Sequence, residues 1–74
     1  MTRQTIRKIQ AFKVRDNHPV VNGRVTVYKA STTIPVKELV DWVGEDGDPL
    51  MVRVAWKRES YLIWKDDWEA ASEV

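Results

Sequence analysis

From Leu50 to Trp64 the chain puts apolar side chains on both sides of two alternating runs, and few small folds can hide both sides. Leu50, Val52, Val54 and Trp56 alternate with Met51, Arg53, Ala55 and Lys57, the period-two rhythm of a β-strand. With Arg58-Glu59 at the centre of a short turn, Trp56 pairs with Tyr61, Val54 with Ile63, Ala55 with Leu62 and Arg53 with Trp64. One face then carries Val52, Val54, Trp56, Tyr61 and Ile63, and the other Met51, Ala55, Leu62 and Trp64. Each face needs its own cover.

The remaining segments offer candidates for that cover. In Gln10–Arg15, Phe12 and Val14 fall on one side and Ala11, Lys13 and Arg15 on the other, as in a half-buried strand. Asp16-Asn17-His18-Pro19 is a cluster of turn formers, and Asn22-Gly23 tolerates the positive φ of a tight hairpin. Arg24–Lys29 then alternates with Val25 and Val27 inward, which predicts a first hairpin whose outer face bears Lys13, Arg15, Arg24 and Tyr28. Ser31-Thr32-Thr33 and Pro35 read as the start of a helix. Val36, Leu39, Val40 and Val43 form its apolar stripe, Trp42 its rim, and Gly44 its left-handed cap. The tail from Asp66 begins with acids suited to a helix N-terminus, and Trp64, Trp68 and Ala71 share a helical spacing, so it offers one cover for the second sheet face; left uncovered by the tail, that face needs a partner.

The order ββαββ with a terminal helical turn predicts an α+β fold, a small antiparallel sheet of about four strands with one helix packed on a face. An SH3-like small β-barrel is the alternative that short alternating strands also permit. Seventy-four residues suffice for one domain, 1–74, and no more. With 43% apolar and 31% charged residues the chain is expected to fold, and without cysteine its four tryptophans must supply much of the buried surface. The missing cysteines suit a reducing cytoplasm, and no apolar run is long enough to enter a membrane.

The same composition removes most catalytic chemistry. One histidine, His18, and no cysteine exclude a catalytic triad, a thiol–imidazole dyad and a histidine-rich zinc site within one chain. Glu45, Asp46 and Asp48 lack the spacing of a calcium loop, and Gly23, Gly44 and Gly47 are too scattered to cradle a phosphate. The carboxylate pairs Asp66-Asp67 and Asp41 with Glu45 read as solvated or capping acids. The expectation is a binding protein with no catalytic residues, cofactor, metal or small-molecule substrate.

Two surfaces remain. The aromatic-rich sheet face of Met51, Arg53, Leu62 and Trp64, with Trp42 and Trp68 nearby, has the residue types enriched at protein interfaces, which predicts docking on a protein partner or a second copy of the chain. The alternative is nucleic acid. Residues 1–37 carry eight Lys or Arg against one acid, a net +7, whereas residues 38–74 carry four against ten, a net −6. Arg7, Lys8, Lys13, Arg15 and Arg24 with Tyr28 are the residues that would grip phosphates and stack on a base. A charge split of this kind also arises when two halves fold together and neutralise each other. In brevity and aromatic density the chain is similar to small phage and mobile-element accessory proteins, with no shared motif.

Overall fold

The computed structural model describes the backbone of residues 1–16, 20–22, 25–27, 31–45 and 49–74, and the side chains of these apart from 16, 20–22 and 25–27. The best-patterned segment is also the centre of the fold. Strand β7 (Met51–Trp56) and strand β8 (Glu59–Trp64) form a hairpin in which Trp56 faces Glu59, Val54 faces Tyr61, Val52 faces Ile63 and Met51 faces Trp64. The register differs by two residues from the expected one, because the turn is Lys57-Arg58. Both take a positive φ, 50° and 63°, so this is a two-residue loop of the left-handed kind that matches strand twist. A shift of two preserves which side chains share a face. The two apolar faces therefore survive the change of register.

Around this hairpin lie β1 (Thr2–Thr5), β2 (Ile9–Lys13), β5 (Thr32–Ile34), β6 (Leu39–Glu45) and β9 (Ser72–Glu73). Together they form one seven-stranded antiparallel sheet in the order β5-β2-β8-β7-β6-β1-β9. Strands β3 (Val20–Asn22) and β4 (Val25–Val27) pair only with each other, so the chain does reverse between Asn22 and Val25. The first hairpin is not the expected one, however. Strand β2 joins β5 on one side and β8 on the other, and its continuation at Val14–Asp16 is a 3₁₀ turn.

Neither a four-stranded sheet with a helix on its face nor a closed small barrel describes the result. The sheet curls into a half-barrel, and one short helix, α1 (Lys65–Ala71), packs inside the curl. Thr5, fully buried, links the two sides of this curl. Its backbone N–H donates to the Glu38 carbonyl at 2.9 Å and its carbonyl accepts from Lys37 N–H at 2.8 Å. The Thr5 hydroxyl donates to the Pro35 carbonyl at 2.6 Å and accepts from Glu38 N–H at 2.9 Å. One threonine thus satisfies the turn between β5 and β6, and Ile6 N–H beyond it donates to the Ala71 carbonyl at the end of α1.

The segment expected to be the central helix is a turn followed by β6. Lys37 has φ 65°, which breaks a helix within its first turn, and the residues that follow are rich in β-branched and aromatic side chains. A helix of about nine residues is marginal by itself, whereas β6 finds hydrogen-bonding partners on both sides, β1 and β7. Of the expected stripe only Val40 is buried; Val36, Leu39 and Val43 are exposed. Gly44 is not a left-handed cap but a strand residue next to a bulge, where Trp42 faces Val54 and Gly44 already faces Arg53.

The C-terminal segment does form a helix, with Asp66 and Asp67 in its first turn as the macrodipole favours. It covers the first face of the hairpin rather than the second. Trp68 and Ala71 enter a core built from Ile9, Ala11, Ile34, Val40, Val52, Val54, Tyr61 and Ile63. On the other face Phe12, Met51 and Leu62 form a smaller core flanked by Val14 and Trp64, with the Phe12 and Trp64 rings edge to face at 6.3 Å. No helix among the described residues is long and apolar enough to cross a membrane.

The Lys57-Arg58 turn leads to a prediction. Left-handed backbone costs a side chain with a Cβ about 1 kcal/mol or more per residue, a cost that glycine avoids and asparagine partly avoids. Replacing the pair by Asn-Gly is expected to stabilise the fold by roughly 1–2 kcal/mol, raising Tm by about 4–8 °C per kcal/mol for a domain of this size. Thermal denaturation followed by circular dichroism reads the change, and an unchanged or lower Tm would mean that the turn carries no strain.

Candidate functional site

The residues expected to form a docking face are divided by the alternation of the strands. Met51 and Leu62 are buried in the smaller core, and Trp68 is buried in the larger one on the opposite side of the sheet. Arg53 is exposed and shares a face with Leu62 and the half-buried Trp64. Trp42, opposite Val54, belongs to the other face. No continuous apolar surface joins these six. What remains at Trp64 is an open groove of about 300 Å³ beside Pro49, Leu50 and the acids Asp66 and Asp67.

The cations regroup as well. Arg7 and Lys8 are exposed in the link that enters β2 at Ile9. Lys13 and Arg15 leave at its other end, so roughly 13 Å of strand separates the two pairs. Arg24 and Tyr28 lie outside the described residues. Arg3, which sequence alone does not single out, has its guanidinium 5.1 Å from the centre of the Trp68 ring and is part of the core's closure.

Strand pairing supplies Lys13 and Arg15 with different neighbours. Lys13 is opposite Tyr61 on β8, two residues from Glu59, and Glu59 is opposite Trp56 on β7. The Glu59 carboxylate is 3.9 Å from the Lys13 Nζ and 3.4 Å from an Arg15 guanidinium nitrogen. Lys57 and Arg58 follow Trp56 in the turn, and the Lys57 ammonium sits over the Trp56 ring, 4.7 Å from its centre. Tyr61 flanks that ring at 5.7 Å, tilted by 55°. The same end of three adjacent strands thus carries Lys13 and Arg15, paired with Glu59, and the Lys57-Arg58 turn, next to the half-buried Trp56. Glu38 and Asp41 bound this rim on the β6 side.

The two charged halves of the sequence do meet here, through Glu59. Glu59 touches two of the rim's cations, and Arg15, with 76% of its side chain exposed, is hydrated rather than locked. Sequence reasoning misses Lys57 and Arg58 as site residues because they belong to the acidic half of the chain. A dibasic turn following a tryptophan is the signal that could have found them.

Among the described residues no group of three or more His, Cys, Asp or Glu is placed to hold a metal ion. Of the acids at 45–48, Asp46 and Asp48 lie outside the described residues, and Glu45 lies 4.0 Å from the Lys65 ammonium. Comparison with known proteins finds no family model, no curated protein and no solved structure that matches this chain. Function is therefore inferred from the rim itself.

Proposed function

We propose that this protein is a non-catalytic nucleic-acid-binding module whose contact surface is the basic rim at the Lys57-Arg58 end of the half-barrel. The observation that carries the reading is that the strand end where Lys13 and Arg15 pair with Glu59 is also the end that carries the Lys57-Arg58 turn and Trp56, with the Lys57 ammonium over the Trp56 ring. Phosphates bind such a surface by displacing counterions, and an adjacent aromatic ring adds contact to a base. Protein docking, the other expectation, finds less support, since Met51, Leu62 and Trp68 are occupied in holding the monomer together.

In this arrangement Glu59 competes with phosphate for Lys13 and Arg15. Glu59→Gln keeps the shape of the side chain and removes the competitor, so the variant is expected to bind a labelled oligonucleotide roughly 3- to 10-fold more tightly at about 50 mM salt, where a surface charge contributes on the order of 1 kcal/mol. The gain should shrink as salt rises. Fluorescence anisotropy against salt concentration measures both effects. Binding that is absent, or indifferent to salt and to this substitution, would overturn the proposal.

A further inference from the structure

The rim also has features that bear on which nucleic acid it accepts. Trp56 leans on Tyr61, and the side chain lying over its face is the exposed Lys57. An exposed lysine over a ring is readily displaced, because its ammonium is nearly as well served by water. The space Lys57 leaves is next to an aromatic face and within one strand spacing of Glu59 and its two cations. The one described helix is unsuited to a groove: its first turn holds Asp66 and Asp67, Glu69 follows, and its apolar side is buried. Paired bases hide their faces, whereas unpaired bases offer them.

We infer that the ligand is single-stranded nucleic acid, with one base stacked on Trp56 in the place of Lys57 and the neighbouring phosphates held by Lys13 and Arg15. This rests on the function proposed above. The test is anisotropy of the full chain with a labelled 12-mer of oligodeoxythymidine and with a 12-base-pair duplex, at equal salt, using the wild type, Trp56→Leu and Trp56→Phe. The single strand should bind at least about 10-fold more tightly than the duplex. Trp56→Leu should weaken the single strand roughly 5- to 150-fold, and Trp56→Phe should restore much of that loss. Equal binding of duplex and single strand by the wild type overturns the inference even if Trp56→Leu fails to fold, and so does a folded Trp56→Leu that binds like the wild type. Both outcomes leave salt-sensitive binding, and with it the underlying reading, intact; no binding to either oligonucleotide removes that reading too.

Discussion

Trp68→Ala is expected to cost about 3–5 kcal/mol and to lower Tm by roughly 15 °C or more. The residue is 3% exposed and sits where the half-barrel closes, packed with Val40, Val54 and Ile63 among others. Seventy-four residues at about 0.05–0.15 kcal/mol each have roughly 4–11 kcal/mol of total stability, so a loss of this size is a large share of the whole. Three further contacts involve this ring or its backbone carbonyl. The Arg3 guanidinium lies over the indole and donates to the Trp68 carbonyl at 3.4 Å, and the Ser72 hydroxyl donates to the same carbonyl. Truncation leaves the Arg3 charge without its aromatic partner in a half-buried site where its Nε already has no hydrogen-bond partner. Helix α1, seven residues long and without a side-chain N-cap bond, is too short to persist once Trp68 no longer anchors it. Thermal and urea denaturation measure the effect, and Trp68→Phe should recover more than half of it. A Trp68→Ala variant melting within about 3 °C of the wild type would show that the strands hold their curl without the helix.

Much of this core is legible in the amino-acid sequence. The rhythm from Leu50 to Trp64 identifies both strands and both faces, because a period of two is difficult to mistake over six residues on each side of a turn. Register is another matter. A turn centred on Arg58-Glu59 and one made of Lys57-Arg58 place the same residues on the same faces, and only the backbone decides between them. The error over residues 35–44 has a different origin. Val36, Leu39, Val40 and Val43 satisfy a helical stripe, yet the competing period, Val40 with Trp42 against Leu39 with Asp41, is also present, and the choice is made by partners far away in sequence. Strand β1 supplies one of them, with Arg3 opposite Val40, and β7 the other, with Val54 opposite Trp42. Nothing local encodes those pairings.

The site is legible only in part for the same reason. Lys13 and Arg15 can be read from the sequence as neighbours, and they remain so. Their joining with Lys57 and Arg58 depends on β2 lying beside β8, a contact across more than forty residues, so a division of the chain into a basic and an acidic half points away from it. Exposure misleads in the opposite direction for the apolar residues. Leu62 and Met51 look like unprotected surface only if the sheet is flat and has four strands; when it has seven and curls, they have neighbours. The tryptophans accordingly divide by position: Trp68 holds the core, Trp64 and Trp42 remain partly open on opposite faces, and Trp56 stands at the rim between Tyr61 and the Lys57 ammonium.

Reversing two charges on that rim, Lys13→Glu with Arg15→Glu, is expected to weaken oligonucleotide binding by roughly 100-fold at about 50 mM salt. Each reversal replaces an attraction on the order of 1 kcal/mol with a repulsion of similar size, and screening removes part of the sum. The slope of affinity with salt provides a second, independent reading. If four cations each neutralise one phosphate of a single strand, log K falls with log salt at a slope of about −2.8, or about 50-fold between 50 and 200 mM. Without Lys13 and Arg15 the slope should fall to about −1.4, a loss of only about 7-fold over the same range. Both side chains sit on the surface beside Glu59, so clustering three acids there costs some stability, and the neutral pair Lys13→Gln with Arg15→Gln provides the control. That pair removes the contacts without adding repulsion and should show the same shallow slope with a smaller loss of affinity. If both variants keep the wild-type slope while remaining folded by circular dichroism, phosphates are not held at this rim, and the positive charge there serves only to pair with Glu59.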